Sequence, residues 1–365
     1  MTISKAEMEK QISRNLRFKT EADNENRRKN IDASIKCWNE RLPHFPDESI
    51  LPLQEKAIRT FWKRFTEIET VEWVKYYSCR NGTFDTRYIP DGIFYSFIDP
   101  YFNNYSFADI FDNKAYYSLI FTDVLKPDIL AVKINNVWLD QNYSIISIED
   151  VINRCINEGR AVIKPARCSS GGFGITFWDN SQSFEVLKQS ICYGAIDITI
   201  QKLICQHDVL NKINDTSVNT IRFMTLLYKN EIFVLSSVLR MGINGARVDN
   251  ASAGGITCGF LDGGRIKQVA FNKDGVKYDK HPQGTIFSNV IIPGFDKAKK
   301  MVCKLQARFP YCAMISWDIA INRNAEPVLI EANLANGQLD FHQLNNGPIF
   351  GDLTENILNS VFTDK

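Results

Sequence analysis

A glycine-rich loop between two short β-type segments is the feature that most constrains the fold. The stretch AVIKPARCSSGGFGITFWD places Lys164 directly before a proline, which favours an extended lysine at the end of a strand. Gly171, Gly172 and Gly174 allow backbone N–H groups to approach a ligand closely. A second β-type segment, GITFW, follows the glycines, and the stretch matches neither the Walker nor the Rossmann pattern. We predict a flexible flap over phosphates, and an ordinary hairpin with a glycine-rich turn is the alternative.

Two carboxylates are expected to face each other in a second pair of strands. The segments AMISWDIAI and PVLIEAN are joined by NRNAE, and a hairpin centred on Asn324-Ala325 places Asp318 opposite Glu331. Asn333 projects from the same face as Glu331 because side chains alternate along a strand. Facing carboxylates repel unless a cation lies between them, and this all-oxygen set suits Mg²⁺. The alternative is that one acid pairs with a lysine or arginine on the neighbouring strand.

The pattern of segments predicts an α+β fold with much antiparallel pairing. Further β-type segments include RAVIK, DITIQKLI, TIRFMTLLY and EIFVLSSVLR, and helices are expected at about 149–158, 181–192 and 296–308. Residues 1 to about 98 have a helical pattern, in which an apolar stripe indicates core packing. The stripe consists of Ile58, Phe61, Trp62, Phe65 and Ile68. We therefore divide the chain into an accessory region, 1–110, and two further subdomains, 111–207 and 208–365.

The overall charge excludes a broad nucleic-acid or membrane-binding face. Lysines and arginines number 43 against 42 acids, which gives a net charge of +1. The sequence contains neither a signal-peptide core in its first thirty residues nor an apolar run of 18 residues, so we expect a cytoplasmic protein without a membrane span. The nine cysteines are scattered and lack a Cys-x-x-Cys pair, which favours reduced, buried thiols over a zinc site.

Several motifs in order resemble the sugar-transfer-associated branch of the ATP-grasp superfamily. The pairing of VIKPARCSSGGFG with WDIAINRNAEPVLIEAN is supported by FDTRYIPDGIFYSFIDPYFNN, DNKAYY, SVNTIRFMTL, DNASAGGI and EANLANGQLDFHQLNNGPIFGDLTE. The resemblance covers most of the chain from about residue 36. It implies an ATP-grasp fold, in which two α+β subdomains clamp ATP, with ATP and Mg²⁺ as cofactors.

The resemblance also implies roles for individual residues. Phosphate contacts are implied for Lys164 and Lys114, and Lys133 is the rival of Lys114. Flap contacts are implied for Ser169, Ser170, Gly171, Gly172 and Gly174, and adenine contacts at a hinge for Gln201, Lys202, Leu203 and Ile204. Many relatives have an acid near this hinge, where this chain has Gln201-Lys202. His207 is a candidate ribose neighbour or packed residue. The implied metal ligands are Asp318, Glu331 and Asn333.

Two arginines and four polar residues are candidates for the reacting end of the site. Arg222 and Arg240 are candidates for holding the transferred phosphoryl group or a carboxylate, because a guanidinium donates in a planar fork. Either could instead be an arginine on an edge strand. Substrate contacts are expected for Asp249, Asn250, Asn336 and Asp340, and a loop-forming Asp-Asn turn is the alternative for Asp249 and Asn250.

The reaction implied by the resemblance is the ligation of a carboxylate to an amine through an acyl phosphate. The substrates would be a sugar acid, for example a nucleotide- or lipid-linked uronate, and an amine or amino acid, with polysaccharide-assembly enzymes as partners. A kinase acting on a hydroxyl acceptor and a non-catalytic ATP-binding partner of a glycosyltransferase are the alternatives. The first would accumulate a phosphorylated acceptor, and the second would perform no chemistry.

Overall fold

The structure is a computed structural model that describes residues 25–37, 40, 52–68, 71–167, 170–192 and 196–363. Within these residues the chain forms two compact units. The first comprises Met1–Tyr101 and Gly347–Lys365, and the second comprises Phe102–Asn346. None of the helices formed by the described residues is long and apolar enough to cross a bilayer. The subdomain boundaries at 110 and 207 remain predictions.

The helices of the described residues fall into longer segments and single turns. The α-helices are α1 (25–37), α2 (Pro52–Trp62), α3 (Glu72–Asn81), α4 (Asp91–Ile93), α5 (Asp99–Phe102), α6 (Tyr105–Phe111), α7 (Tyr117–Ile120), α8 (Ile148–Glu158), α9 (Phe184–Cys192), α10 (Asp208–Ile213), α11 (Phe295–Gln306), α12 (Asp340–Asn346) and α13 (Thr354–Phe362). A π-helical turn spans Phe94–Ile98, and 3-10 turns span Lys114–Tyr116, Ser170–Gly172, Ala251–Ala253, Asp262–Gly264, Phe287–Asn289 and Gly351–Leu353.

The first unit is helical and its core is aromatic. Trp73 stacks on Tyr77 with ring centroids 5.8 Å apart, and Tyr77 stacks on Tyr88 at 5.5 Å. In the predicted apolar stripe, Ile58 and Trp62 are fully buried. Helix α2 ends at Trp62, so the last two members of the stripe follow the helix and are only half-buried.

A five-stranded sheet forms the first part of the second unit. Its strands are β1 (Ile129–Ile134), β2 (Val137–Leu139), β3 (Arg160–Pro165), β4 (Thr176–Asp179) and β5 (Ile198–Gln201), in the order β2-β1-β5-β3-β4. All of its pairings are antiparallel. Helix α8 begins at a capping box of Ser147 and Asp150, and its buried Val151 and Cys155 pack in a core with Leu187 of α9. The predicted strand, loop and strand around the glycines are therefore confirmed as β3 and β4.

A seven-stranded sheet forms the remainder of this unit. Its strands are β6 (Thr220–Tyr228), β7 (Glu231–Met241), β8 (Ile256–Phe260), β9 (Ile266–Phe271), β10 (Lys277–Tyr278), β11 (Met314–Ile321) and β12 (Pro327–Asn333), in the order β10-β9-β8-β7-β6-β11-β12. These pairings are also antiparallel. Helix α11 packs Ala298, Val302 and Leu305 into the core that contains Phe223 and Trp317 of the sheet. This apolar core covers one face of the sheet. The polar side chains of β6, β7, β11 and β12 that are described below project from the other face.

Candidate active site

A cavity of about 730 Å³ is lined by residues of both sheets of the second unit. Most of the residues selected from the sequence line it. They are Lys114, Lys164, Gly171, Gly172, Gln201, Lys202, Leu203, Ile204, Arg222, Arg240, Asp249, Asn250, Asp318, Glu331, Asn333 and Asn336. Residues that are far apart in the sequence thus meet at one cavity of ligand-binding size.

Three charged residues form a row across adjacent strands of the larger sheet. Arg222 of β6 is paired directly with Asp318 of β11, which is paired directly with Glu331 of β12. Directly opposed residues have neighbouring side chains on the same face. The predicted register of Asp318 and Glu331 is confirmed. A bulge accompanies it, because the pairing moves from Ile319–Leu329 to Asp318–Glu331 and leaves Ile330 as an extra residue.

Asp318 is held by two arginines. Arg222 donates from Nε to Oδ1 and from Nη2 to Oδ2, both at 2.6 Å, and Arg240 donates from Nη1 to Oδ2 at 2.9 Å. Burial by itself would raise the pKa of Asp318, but the two guanidinium groups hold it well below its usual value. The alternative in which an acid pairs with an arginine of the neighbouring strand therefore describes Asp318.

Arg240 connects Asp318 to a second buried carboxylate. Its Nη2 donates to Oδ1 of Asp249 at 2.8 Å, and Oδ2 of Asp249 accepts from the backbone N–H and the hydroxyl of Thr220 at 3.0 and 2.5 Å. Burial raises the pKa of Asp249 despite the attraction of Arg240. The pKa of Arg240 is raised because the two carboxylates outweigh the effect of its burial. This network fixes both arginines as charged donors at the cavity wall.

Two lysines lie on the other side of the row. Lys114 Nζ forms a 2.8 Å ion pair with Glu331 Oε1. Its 3-10 turn is joined to the end of β3 by a 2.9 Å backbone hydrogen bond from Lys114 N to Ala166 O. Lys164 is buried at the end of β3, and burial together with repulsion by Lys114 lowers its pKa to about 8 although Glu331 opposes this. The rival, Lys133, lies 5.5 Å from the ring of Trp138 and does not line the cavity.

The donor set at β11 and β12 fits a divalent cation that is also held by a ligand. The described residues contain no group of three His, Cys, Asp or Glu side chains able to bind a metal alone. Mg²⁺ usually combines one or two protein carboxylates with substrate phosphates. Asp318 Oδ1 accepts one hydrogen bond and can accept another ligand, and Asn333 donates its Nδ2 to Ser316 O at 3.2 Å, which leaves Oδ1 as the ligand atom. Glu331 is the third oxygen donor.

The glycine-rich segment lies against a loop of the larger sheet, residues 247–252. Ser252 Oγ donates to Gly171 O at 3.5 Å, and Arg247 lies 4.4 Å above the ring of Phe177. A Cβ on Gly171, where φ is +68°, would lie 2.6 Å from Ser252 Oγ, so this close approach requires glycine. Phe173, at the tip of the segment, is 81% exposed. Ser169 lies outside the described residues, as does the side chain of Ser170.

An apolar wall and an extended segment form the end of the cavity near β5. Leu203 and Ile204 follow β5 and line the cavity, as does Val162, which pairs with Gln201 of β5. Ile175 and Ile330 are further apolar residues of the cavity wall. Lys202 donates its backbone N–H to Asp128 O at 2.9 Å, and its ammonium pairs with Glu158 at 2.9 Å. Cys205 also lines the cavity and is exposed, so the expectation of uniformly buried thiols is wrong at this position.

Three further residues selected from the sequence, in addition to Lys133, do not line the cavity. His207 is the N-cap of α10, where its Nδ1 accepts the Val209 N–H at 3.1 Å, so its ring serves the helix instead. Gly174 turns back over Pro165, and Asp340 lies in the first turn of α12. The cofactor roles of His207 and Gly174 and the substrate role of Asp340 remain predictions.

Sequence reasoning missed Gln338. It lines the cavity and accepts a hydrogen bond from Arg222 Nη1 at its Oε1, at 2.9 Å. Because a guanidinium only donates, the amide must present its oxygen to Arg222 and its NH₂ group elsewhere. Gln338 has a left-handed backbone with φ of 57°, and Asn336 has 54°. Such conformations are uncommon for residues other than glycine and are found at functional sites, but no sequence pattern predicts them.

The cavity is lined by residues of two antiparallel sheets, and both cations and carboxylates are present in its wall. A family model described as sugar-transfer associated ATP-grasp matches residues 95–359. The chain belongs to this family, and the expected ATP-grasp fold of α+β class is confirmed. A search of curated proteins finds no match.

Solved structures with related folds are distant in sequence. The biotin carboxylase domain of 2-oxoglutarate carboxylase from Hydrogenobacter thermophilus, solved with MgADP, ADP and bicarbonate, is 13% identical with a TM-score of 0.41, over 70% of this chain and 46% of that chain. The VanG D-Ala:D-Ser ligase from Enterococcus faecalis is 15% identical with a TM-score of 0.39, over 70% and 60%. D-alanyl-alanine synthetase A from Vibrio cholerae is 10% identical with a TM-score of 0.36, over 70% and 65%. The chain thus spans less than two thirds of each of these proteins.

Proposed function

We propose that this protein is an ATP-dependent carboxylate–amine ligase that forms an amide through an acyl phosphate, with a sugar acid of polysaccharide biosynthesis as the carboxylate substrate. One observation carries the proposal. Four cations, Lys114, Lys164, Arg222 and Arg240, converge with the carboxylates of Asp318 and Glu331 in a cavity that apolar side chains also line. A triphosphate with Mg²⁺ matches the charged residues, and an adenine ring matches the apolar ones.

The nucleotide would lie with its base against the apolar residues. Val162, Ile175, Leu203 and Ile330 offer flat apolar contact, and the extended segment after β5 offers backbone groups to the edge of the base. The phosphates would then reach Lys114 and Lys164, and the glycine-rich segment would close over them. Asp318, Glu331 and Asn333 would hold Mg²⁺, which when bound neutralises charge on the transferred phosphoryl group.

Arg222 and Gln338 would orient the carboxylate substrate. Both present hydrogen-bond donors at the same point of the cavity wall, since the Gln338 oxygen is occupied by Arg222. Donors of this kind recognise carboxylate or phosphoryl oxygens and repel an ammonium group. A substrate carboxylate placed there could attack the γ-phosphorus in line while Arg240 stabilises the developing charge. Closure of residues 170–174 against the loop 247–252 would protect the acyl phosphate from water.

The complete set of charged residues supports catalysis over a purely regulatory nucleotide site. A non-catalytic partner would need the two lysines that hold the phosphates but would not need the two arginines beside them. A kinase would use the same nucleotide end, so the acceptor separates the two enzyme functions. We would test this by measuring ADP release over pairs of sugar acids and amines. Release that requires both a carboxylate and an amine supports the ligase, whereas release with a hydroxyl compound alone, accompanied by a stable phosphorylated product, supports the kinase.

A further inference from the structure

Two polar residues outside the cavity wall hold the turn of Lys114 in place. Asn113 is buried and caps this turn, since its Oδ1 accepts from Ala115 N at 3.0 Å, and its Nδ2 donates to Asp197 Oδ2 at 2.9 Å. Asp197 directly precedes β5, and its Oδ1 accepts from Asn135 N at 2.9 Å. Neither Asn113 nor Asp197 lines the cavity, so any effect on a ligand must pass through another residue.

A closed ring of hydrogen bonds runs through the backbone of Lys114. Lys114 N donates to Ala166 O, and Ala166 N donates to Asp197 O, both at 2.9 Å. The side chain of Asp197 then binds Asn113, the residue before Lys114, which closes the ring. Ala166 follows β3 and Asp197 precedes β5, and these two strands pair at this end. The ring therefore fastens the turn of Lys114 to the end of the strand that carries Lys164.

The two lysines need such a fastening because their charges repel. Both are buried, and burial and then repulsion by Lys114 lower the pKa of Lys164. The turn that carries Lys114 has only three residues, and a 3-10 turn of this length has weak hydrogen bonding of its own. Glu331 attracts Lys114 at 2.8 Å, but Mg²⁺ would compete for this carboxylate once a nucleotide is bound. The ring opposes the separation of the two ammonium groups in either case.

We infer that Asn113 and Asp197 are positioning residues that hold the ammonium of Lys114 beside that of Lys164, where both bind the phosphates of the nucleotide. The inference rests on the proposed function, because it requires a nucleotide in the cavity with its phosphates at Lys114. It goes beyond that function because it assigns the geometry of the phosphate site to two residues that do not touch the ligand.

The hydrogen bonds of the ring require one amide and one carboxylate. Asn113 accepts from Ala115 N and donates to Asp197, whereas Asp197 accepts from two N–H groups with its two oxygens. Asn113→Asp alone places two carboxylates against each other, and Asp197→Asn alone leaves one oxygen for two donors. The exchanged pair, Asn113→Asp with Asp197→Asn, conserves the net charge and every hydrogen bond, because its carboxylate accepts from Ala115 N and the amide, and its amide oxygen accepts from Asn135 N.

Calorimetric titration of the full chain with ADP and Mg²⁺ tests the inference. We expect Asn113→Asp to weaken ADP binding about tenfold or more, and the exchanged pair to bind within about twofold of the wild-type protein. Asp197→Asn should weaken binding about threefold or more, whereas removal of a negative charge alone would strengthen the binding of an anion. In a Lys114→Met background, Asn113→Asp should change the affinity about twofold or less, because the ring then has no ammonium to position.

Asn104→Asp is the matched control. Asn104 caps α6 in the same manner, with its Oδ1 accepting from Phe107 N at 3.1 Å, and it neither lines the cavity nor belongs to the ring. The ADP affinity of this variant should stay within about twofold of the wild-type value. Thermal unfolding of each variant verifies that it is folded, and Asp197→Asn carries the comparison with the Lys114→Met background if Asn113→Asp does not fold.

The outcomes separate this inference from the proposed function. If the wild-type protein binds ADP and either Lys114→Met or Asn113→Asp binds it equally well, the positioning role is wrong and the nucleotide site stands. The role is also wrong if Asn113→Asp has the same effect with and without Lys114, if the exchanged pair binds no better than Asn113→Asp, or if Asn104→Asp weakens binding as much. If the wild-type protein does not bind ADP, the nucleotide site and the positioning role are both wrong.

Discussion

Asp318 lies directly opposite Glu331 across β11 and β12, and each carboxylate is paired with a different cation. Asp318 satisfies two buried arginines, whereas Glu331 contacts one lysine and keeps 23% of its side chain exposed. The two acids therefore serve the proposed cation site equally but contribute unequally to stability. Replacing each by its amide should separate the two effects.

We predict that Asp318→Asn and Glu331→Gln both reduce Mg-ATP turnover by orders of magnitude, because each removes a charge that offsets Mg²⁺. Asp318→Asn should also lower the free energy of unfolding by about 3 kcal/mol, since it leaves the buried Arg222 without its counter-ion and Arg240 with Asp249 alone. Glu331→Gln should cost about 1 kcal/mol, because its pair is partly solvated. Denaturant unfolding and ADP release measure the two quantities. Unchanged turnover with an unchanged magnesium requirement in both variants would remove the metal assignment.

The pairing of these acids shows what the sequence could predict. Period-2 alternation identified the two strands, and a hairpin centred on Asn324-Ala325 predicted Asp318 opposite Glu331, but the observed hairpin reaches this pairing only through a bulge. The bulge at Ile330 was not predictable, because nothing in PVLIEAN marks an extra residue; at the turn the pairing is Ile321 with Pro327. The prediction holds at the site end of the hairpin, where the bulge has already shifted the register by one residue.

Other site residues depended on tertiary structure that local pattern does not encode. Lys114 lies in a short 3-10 turn without periodicity, so only the family resemblance selected it. Gln338 depends on left-handed backbone at a residue that rarely adopts it. The capping role of His207 was not predicted, because histidine is not among the preferred N-cap residues and the role becomes visible only with α10 in place.

The second prediction concerns the pH dependence of nucleotide binding. The pKa of Lys164 is lowered to about 8 by burial and by Lys114, so its positive charge is lost as the pH rises through that value. Phosphates favour the charged form, and ADP affinity should therefore fall between about pH 7.5 and 9.5 in the wild-type protein. Lys164→Met should bind ADP weakly with a flatter profile, whereas Lys164→Arg should retain its charge throughout. Parallel profiles for the wild-type protein and Lys164→Met would contradict the assignment.

The same pKa shift predicts that the protein without nucleotide becomes more stable as the pH rises, although its affinity for ADP falls. The unfolded chain has the ordinary lysine pKa of 10.5 and binds more protons than the folded chain between about pH 8 and 10.5. The destabilising contribution of Lys164 is thus complete below about pH 8 and fades as the pH rises. Lys164→Met should be more stable than the wild-type protein at pH 7, and the difference should shrink by pH 10. Denaturant unfolding at the two pH values provides the measurement.

The third prediction tests the contact between the glycine-rich segment, residues 170–174, and the loop 247–252. A Cβ placed on Gly171 would lie 3.5 Å from Ser252 Cβ, which is within the range of disulfide-bonded cysteines. Gly171→Cys combined with Ser252→Cys should cross-link on mild oxidation, slow the exchange of bound ADP and regain free exchange after reduction. Gly171→Cys combined with Gly254→Cys is the control, because no atom lies within 4 Å of a Cβ on Gly254. Mass spectrometry of the cross-linked peptide excludes pairing with a native cysteine, and equal cross-linking in both pairs would argue against the closed contact.

The last prediction follows one oxygen atom through the proposed reaction. If a substrate carboxylate attacks the γ-phosphorus, the bond from that phosphorus to ADP breaks and an acyl phosphate forms. Attack of the amine on the acyl carbon then forms the C–N bond, releases a proton and expels phosphate with one former carboxylate oxygen. A hydroxyl kinase would instead keep the acceptor oxygen in its phosphorylated product.

With an ¹⁸O-labelled sugar acid identified by ADP release, we therefore expect the label in inorganic phosphate, and a hydroxamate when hydroxylamine replaces the amine. Gln338→Leu should raise the KM for the acid while leaving the affinity for ADP within about twofold, since it removes the donor beside Arg222 and spares the cations that hold the nucleotide. Formation of the amide with unlabelled phosphate would exclude the acyl phosphate, because an acyl phosphate attacked at its acyl carbon must expel the carboxylate-derived oxygen within the phosphate.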